Sequence, residues 1–206
     1  MAESEDLVAE LLATHALGRL APPLAAIVAA HVELSPAAAR AFAGFEALAG
    51  RRLEGAAPMP IATRDPMLEK ILATERSTAM PPAVDKPSGG LPRPLAELVA
   101  AAPNRWRFAW FGVRRRPLGR FGTFTLEMIR IAGRRPIPGH GHRGLEATLV
   151  LEGGFSDAGV SYGPGDLAVA DAETEHRPVA DPEGCLCVAA VEGAGIRLVN
   201  PFRRWR

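Results

Sequence analysis

Between Arg76 and Pro94 the chain reads TAMPPAVDKPSGGLPRP. A stretch this dense in proline, glycine and serine neither continues a helix nor serves as a central strand, so it separates what folds on either side. The two sides differ in kind. Before it, alanine, leucine and glutamate dominate, which favours helix. After it, apolar runs alternate and are punctuated by Gly153-Gly154, Gly163-Pro164-Gly165 and Gly193 to Gly195 at about 10-residue spacing, the pattern of a β-sandwich or barrel. At 206 residues the chain is long enough for two small units with real cores. The sequence therefore predicts an α + β, two-domain protein: a small N-terminal helical bundle over 1–76, a linker over 77–94 and a β-barrel domain over 95–206.

The helical half carries its own start and stop signals. Leu7, Leu11, Leu12 and Ala16 form a helical stripe that Gly18 ends. Pro22 and Pro23 open a second helix, with Leu24, Ile27, Val28 and His31 at helical period up to Leu34. Ser35-Pro36 reads as an N-cap serine followed by proline in the first turn, starting a third helix from Ala37 to about Ala49. A shorter amphipathic piece is expected from Pro66 to Thr74.

Chemistry concentrates in the β half, in PGHGHRGLEATLVLEGG. His140 and His142 are two residues apart, so on a strand both imidazoles point to one face. Glu146 follows four residues later, and His176 comes some thirty residues on. Three of the five histidines thus gather with a carboxylate. Neutral imidazoles plus one carboxylate suit a borderline divalent ion.

These residues resemble the cupin superfamily, a small double-sheet jelly roll. His140, His142, Glu146 and Gly153 fit its first motif. The second motif is met only by Gly165 and His176; Asp171, Glu173 and Ala180 stand where Pro, Gly and Asn are usual. The segment GDLAVADAETEHRPV instead resembles the cupin half of ChrR-type anti-sigma factors, and LLATHALGRLAPPLAAIVAAHVELSPAAAR is similar to their zinc-binding helical half. The resemblance maps that N-terminal zinc site onto Asp6, His31, Ser35 and Ala38. Only one of these is a zinc ligand of the family pattern, so no N-terminal zinc is expected. A structural site needs about four nitrogen or sulfur donors.

What the resemblance implies is a regulator. The N-terminal helices would sequester an ECF-type sigma factor. The cupin would hold one divalent metal ion through His140, His142, Glu146 and His176, with zinc ahead of iron, manganese or nickel, and would sense oxidative stress. No catalytic residue is assigned. Two alternatives stay open: a metal-dependent cupin enzyme, a dioxygenase or isomerase, and a cupin sensor that no longer binds a sigma factor. The helical first seventy residues favour the regulator, since an enzyme does not require them.

Other features argue for less. A formal charge of +1 provides no electrostatic case for nucleic acid or a membrane surface. The start MAESEDLVAE resembles neither a signal peptide nor a membrane span, so a cytoplasmic protein is expected. In NRWRFAWFGVRRRPLGRF, Trp106, Phe108, Trp110 and Phe111 are read as core of the first strands, with the arginines in solvent. The tail from Phe202 to Arg206 carries no motif. Cys185 and Cys187, the only two cysteines, share a strand face with Cα atoms about 6.6 Å apart, too far for an undistorted bridge. They read as buried apolar residues, or else as thiols close to the metal. The oligomeric state is open between a monomer and a homodimer paired through sheet edges.

Overall fold

A computed structural model of the chain describes residues 2–59, 64–74, 90–193 and 195–199. Five helices and ten strands are found in that order: α1 (Ala2–Ala16), α2 (Pro22–Leu34), α3 (Pro36–Glu54), α4 (Arg64–Ala73), α5 (Arg93–Ala101), then β1 (Arg107–Trp110), β2 (Val113–Phe121), β3 (Phe124–Ile131), β4 (His140–Gly141), β5 (Glu146–Asp157), β6 (Val160–Tyr162), β7 (Leu167–Ala170), β8 (Glu175–His176), β9 (Val179–Glu192) and β10 (Arg197–Leu198). The expected order of helices followed by an antiparallel sheet domain holds. Most of the Pro/Gly stretch, 75–89, and the tail from Phe202 to Arg206 lie outside the described residues.

The helix signals act as read. Gly18 takes φ +65°, a left-handed conformation that glycine adopts without a Cβ penalty, and α1 ends there. Ser35 is in an extended conformation and its side chain accepts from Ala38 N at 3.4 Å, with Pro36 in the first turn of α3. The third helix runs on past Ala49 to Glu54.

The main sheet orders its strands β1-β2-β3-β9-β5-β6, with β7 also on β5, and every pairing is antiparallel. A small second sheet, β10-β4-β8, lies apart from it. Strand alternation gives the main sheet two different faces. Leu126, Met128, Ala147, Leu149, Leu186, Val188 and Ala190 join Leu24, Ile27, Val28, Leu95 and Val99 in one buried cluster. Helices α1, α2 and α5 therefore cover this face, and the helical bundle shares its core with the sheet. The opposite face presents Val113, Ile131, Val150, Phe155, Cys185 and Cys187 to a second cluster inside the barrel.

Helix α5 was not legible in the sequence, because its start falls in the Pro/Gly stretch. Carbonyls at and just past its C-terminus are met from the sheet: buried Arg116 donates to Val99 O (2.7 Å), Ala102 O (2.8 Å) and Pro103 O (3.1 Å). A guanidinium at a helix C-terminus satisfies orphan carbonyls and offsets the negative end of the helix dipole.

One expectation is corrected here. The RFAW strand is an edge with all four residues exposed, and Phe108 and Phe111 are 70% and 74% exposed, with Trp110 also outside. Only Trp106 is half-buried against the core, with the Arg130 guanidinium over its ring. Edge strand β1 has no strand on its outer side among the described residues, and Phe108 and Trp110 pack edge-to-face on Phe111 at the surface and not into the core.

Candidate metal centre and its cavity

The small sheet sets the site. β4 and β8 pair so that His140 and His176 are direct partners in the register, which puts both imidazoles on one side. His142 follows just beyond β4, and Glu146 is the first residue of β5, reached after a turn through Gly144. All four predicted residues converge, with one donor atom from each within 4.8 Å of the others. The Nε2 atoms of His140 and His142 each lie 3.0 Å from Nε2 of His176. Glu146 Oε2 is 2.9 Å from His142 Nε2 and 3.6 Å from His176 Nε2.

This donor set fits a metal ion. Three imidazole nitrogens facing one another bring their lone pairs together, and a cation among them relieves the repulsion. Metal–nitrogen bonds of about 2.0–2.1 Å put neighbouring donors roughly 3 Å apart, as observed here. The outer nitrogens set the tautomers. His140 Nδ1 donates to Pro138 O at 2.8 Å, and His176 Nδ1 donates to Asp157 Oδ2 at 2.8 Å, leaving each Nε2 lone pair pointing inward. His142 has a fully buried side chain, and its Nδ1 has no hydrogen-bond partner among the described residues.

Two of the four donors are shifted toward their ligating forms. Burial holds His140 below its ordinary value despite the Pro138 bond, and the other two imidazoles add to this. Burial alone would raise Glu146, but the His142 hydrogen bond and the fields of the three imidazoles outweigh it and keep the carboxyl below its usual range. Asp157 follows the same balance: burial raises it, while the bond to His176 brings it down further.

Gly153, the glycine of the first motif, has φ +65°, and a Cβ there would stand 2.0 Å from Gly184 O. It sits where β5 slips register against β9, so the motif glycine permits the bulge.

The site opens on a cavity of about 1000 Å³. His140, Glu146 and His176 form part of its wall, together with Cys187, Tyr162 and the Arg115–Glu127 ion pair. Cys185 and Cys187 are both buried free thiols, as read, and Cys187 also faces this cavity. Asp157, Arg115 and Glu127 were missed by sequence reasoning. Asp157 is eleven residues beyond Glu146 on the same strand, with no spacing signal, and only the strand pairing shows what it touches.

Comparisons with known proteins agree with this geometry. Residues 96–193 match the family described as ChrR Cupin-like domain. Over 94% of its length the chain is 35% identical to the Anti-sigma-E factor ChrR of Cereibacter sphaeroides, of which it covers 95%. The chain belongs to the ChrR family. Its fold is similar to that in the crystal structure of Rhodobacter sphaeroides SigE in complex with the anti-sigma ChrR, with a TM-score of 0.73 and 33% identity over 89% of this chain and 96% of that one.

In this ChrR family member, the four positions mapped to an N-terminal zinc site have other surroundings. Ser35 caps α3, Ala38 is buried, and Asp6 is exposed. His31, expected at a packed edge of its helix, is buried, and its Nδ1 donates to Gly165 O across the boundary between helices and sheet, at 2.7 Å.

Proposed function

We propose that this chain is an anti-sigma factor that sequesters an ECF-type sigma factor through its N-terminal helices. The observation that carries the reading is similarity over nearly the whole chain to a protein named as an anti-sigma-E factor and solved in complex with SigE. The helices have the surface for it. α4 has no buried residue, and Met67, Leu68, Ile71 and Leu72 are all exposed, as are Leu48 and Leu53 on α3. Exposed apolar residues on successive helices suit docking on a partner. No described helix is long and apolar enough to cross a membrane, in keeping with a cytoplasmic regulator.

The cupin half is the sensor in this reading. His140, His142, Glu146 and His176 would hold one divalent ion, zinc by the nitrogen-rich donor set, and the ion would supply a Lewis-acidic centre at the cavity wall. Pro138 and Asp157 orient two of the imidazoles. Glu146 brings the one negative charge among the four donors. Oxidative stress is the signal, and the buried thiol of Cys187 on the same cavity is a group that an oxidant can modify. Whatever the signal does, it must favour a state with weaker affinity for the sigma factor, since a ligand indifferent to both states shifts neither.

Co-purification of the full chain with each ECF-type sigma factor of its own genome tests the reading. A stoichiometric complex with one of them is expected. Failure of all of them to bind would overturn it. A second reading, a metal-dependent cupin enzyme, is favoured only by the size of the cavity, and turnover of an organic acid under oxygen without any sigma complex would establish it instead.

A further inference from the structure

The formal charge of +1 averages over an uneven distribution. From Pro103 to Arg135 there are nine arginines and a single carboxylate, Glu127. Two of the nine are committed inside the fold: Arg115 pairs with Glu127, and Arg116 holds the end of α5. The other seven are exposed, and among the described residues no ion pair engages them. Several of them stand beside the aromatic side chains that β1 leaves outside. Phe108 is the register partner of Arg114, and Arg114 of Arg130, so one ring and two guanidiniums form a row on one face across β1, β2 and β3. Arg135 lies against the turn that follows Phe111, where a Cβ on Gly112 would stand 2.8 Å from Arg135 Cγ. A surface hollow of about 380 Å³ has Phe108, Trp110, Arg114, Arg130 and Glu183 in its wall.

Exposed rings beside guanidiniums without ion pairs are the two parts of a site for single-stranded nucleic acid: bases stack on the rings and the guanidiniums take phosphates. A second copy of the chain is a poorer occupant, because it would bring the same arginine excess against itself. Glu183 is the discordant group in the wall. Its carboxylate repels a phosphate but accepts a hydrogen bond from a ribose 2′-OH, which RNA has and DNA lacks. We propose that the Phe108/Trp110/Phe111 surface binds single-stranded RNA, with bases on the rings, phosphates at Arg114 and Arg130, and a ribose hydroxyl at Glu183. The site uses neither the metal ligands nor the α4 surface, so the inference is independent of the proposed function.

Fluorescence anisotropy of the full chain tests this, with labelled oligouridylate and oligodeoxyuridylate of about 15 nucleotides. The matching RNA duplex and a poly-glutamate peptide of equal charge serve as the other arms. At about 50 mM salt the RNA strand should bind in the micromolar range, at least about threefold more tightly than the DNA strand and about tenfold more tightly than duplex or peptide. Phe108→Ala/Phe111→Ala should melt as the wild type does and weaken RNA binding at least about tenfold, since each lost base stack costs about fivefold or more. Arg114→Gln/Arg130→Gln should lower the slope of log Kd against log salt by about 1.4, at about 0.7 per phosphate contact. Arg19→Gln/Arg40→Gln, which removes two exposed charges from the helical half, should change neither affinity nor slope. Glu183→Ala should erase the preference for RNA over DNA. The proposal would be overturned by absent binding, by equal or tighter binding of the DNA strand, the duplex or the peptide, or by full affinity in the ring variant. An unchanged salt slope in the Arg114/Arg130 variant, an equal loss in the Arg19/Arg40 variant or a retained RNA preference in Glu183→Ala would overturn it as well.

Discussion

His31 on α2 and Gly165, in the turn before β7, are joined by a 2.7 Å hydrogen bond between the imidazole Nδ1 and the glycine carbonyl, across 134 residues of chain. Gly165 has φ +89°, and a Cβ there would lie 3.2 Å from Leu34 Cβ, so α2 rests directly on this turn. The same turn is held to β5 by Gly165 N to Val150 O and Val150 N to Asp166 O. Helix and sheet are thus tied at a buried point next to the strand that begins with Glu146.

Replacing His31 with Ala leaves the buried Gly165 carbonyl without its donor. A loss of about 1–3 kcal/mol is expected, read by chemical denaturation of the full chain. A change under about 0.5 kcal/mol would show that the bond has little weight.

Burial lowers the pKa of His31 from its ordinary value of 6.5, although the Gly165 bond and Asp166 act the other way. Because the folded state binds this proton less readily than the unfolded one, the contribution is fully present above about pH 6.5 and is lost as pH falls through the lower folded value. The wild-type melting temperature should therefore drop from pH 7 to pH 5 by more than that of His31→Gln. Parallel curves for the two proteins would contradict this.

Asp157 orients His176 and also accepts from Arg177 N at 3.2 Å. Asp157→Asn should weaken zinc binding by about 10–100-fold in competition with a chelator, since outer partners of ligating histidines carry effects of that size. Unchanged zinc affinity would show that His176 needs no such support.

Gly153→Ala places a Cβ against Gly184 O at a left-handed backbone position. A cost on the order of 2–4 kcal/mol is expected in denaturant unfolding. Wild-type stability in this variant would mean that the bulge relaxes freely.

On the exposed face of α4, Ile71→Asp/Leu72→Asp should change stability by less than about 0.5 kcal/mol. The same pair should weaken the sigma complex by at least about 30-fold if α4 is an anchor. Full sigma affinity in this variant would move the docking surface elsewhere.

What the sequence showed clearly was local. Ser35-Pro36 announced its cap, Gly18 its helix end, and the His140-x-His142 spacing needed only strand alternation to put two imidazoles together. What it hid was long-range. Helix α5 begins inside a proline-rich stretch and is held by Arg116 from another element, so its own residues do not announce it. Phe108 and Phe111 look like core because they are aromatic, yet an edge strand leaves them outside. His31 has a helical spacing that predicts a packed face but says nothing of a carbonyl 134 residues away. Asp157 gains its role from the fold alone.

Transcription in vitro tests the central claim most directly. RNA polymerase loaded with the sigma factor that co-purifies with this chain should lose activity at its promoter as the full chain is added, reaching near-complete repression at about one equivalent, with transcription by the housekeeping sigma factor unaffected. Undiminished transcription at a tenfold excess of the chain would contradict the account.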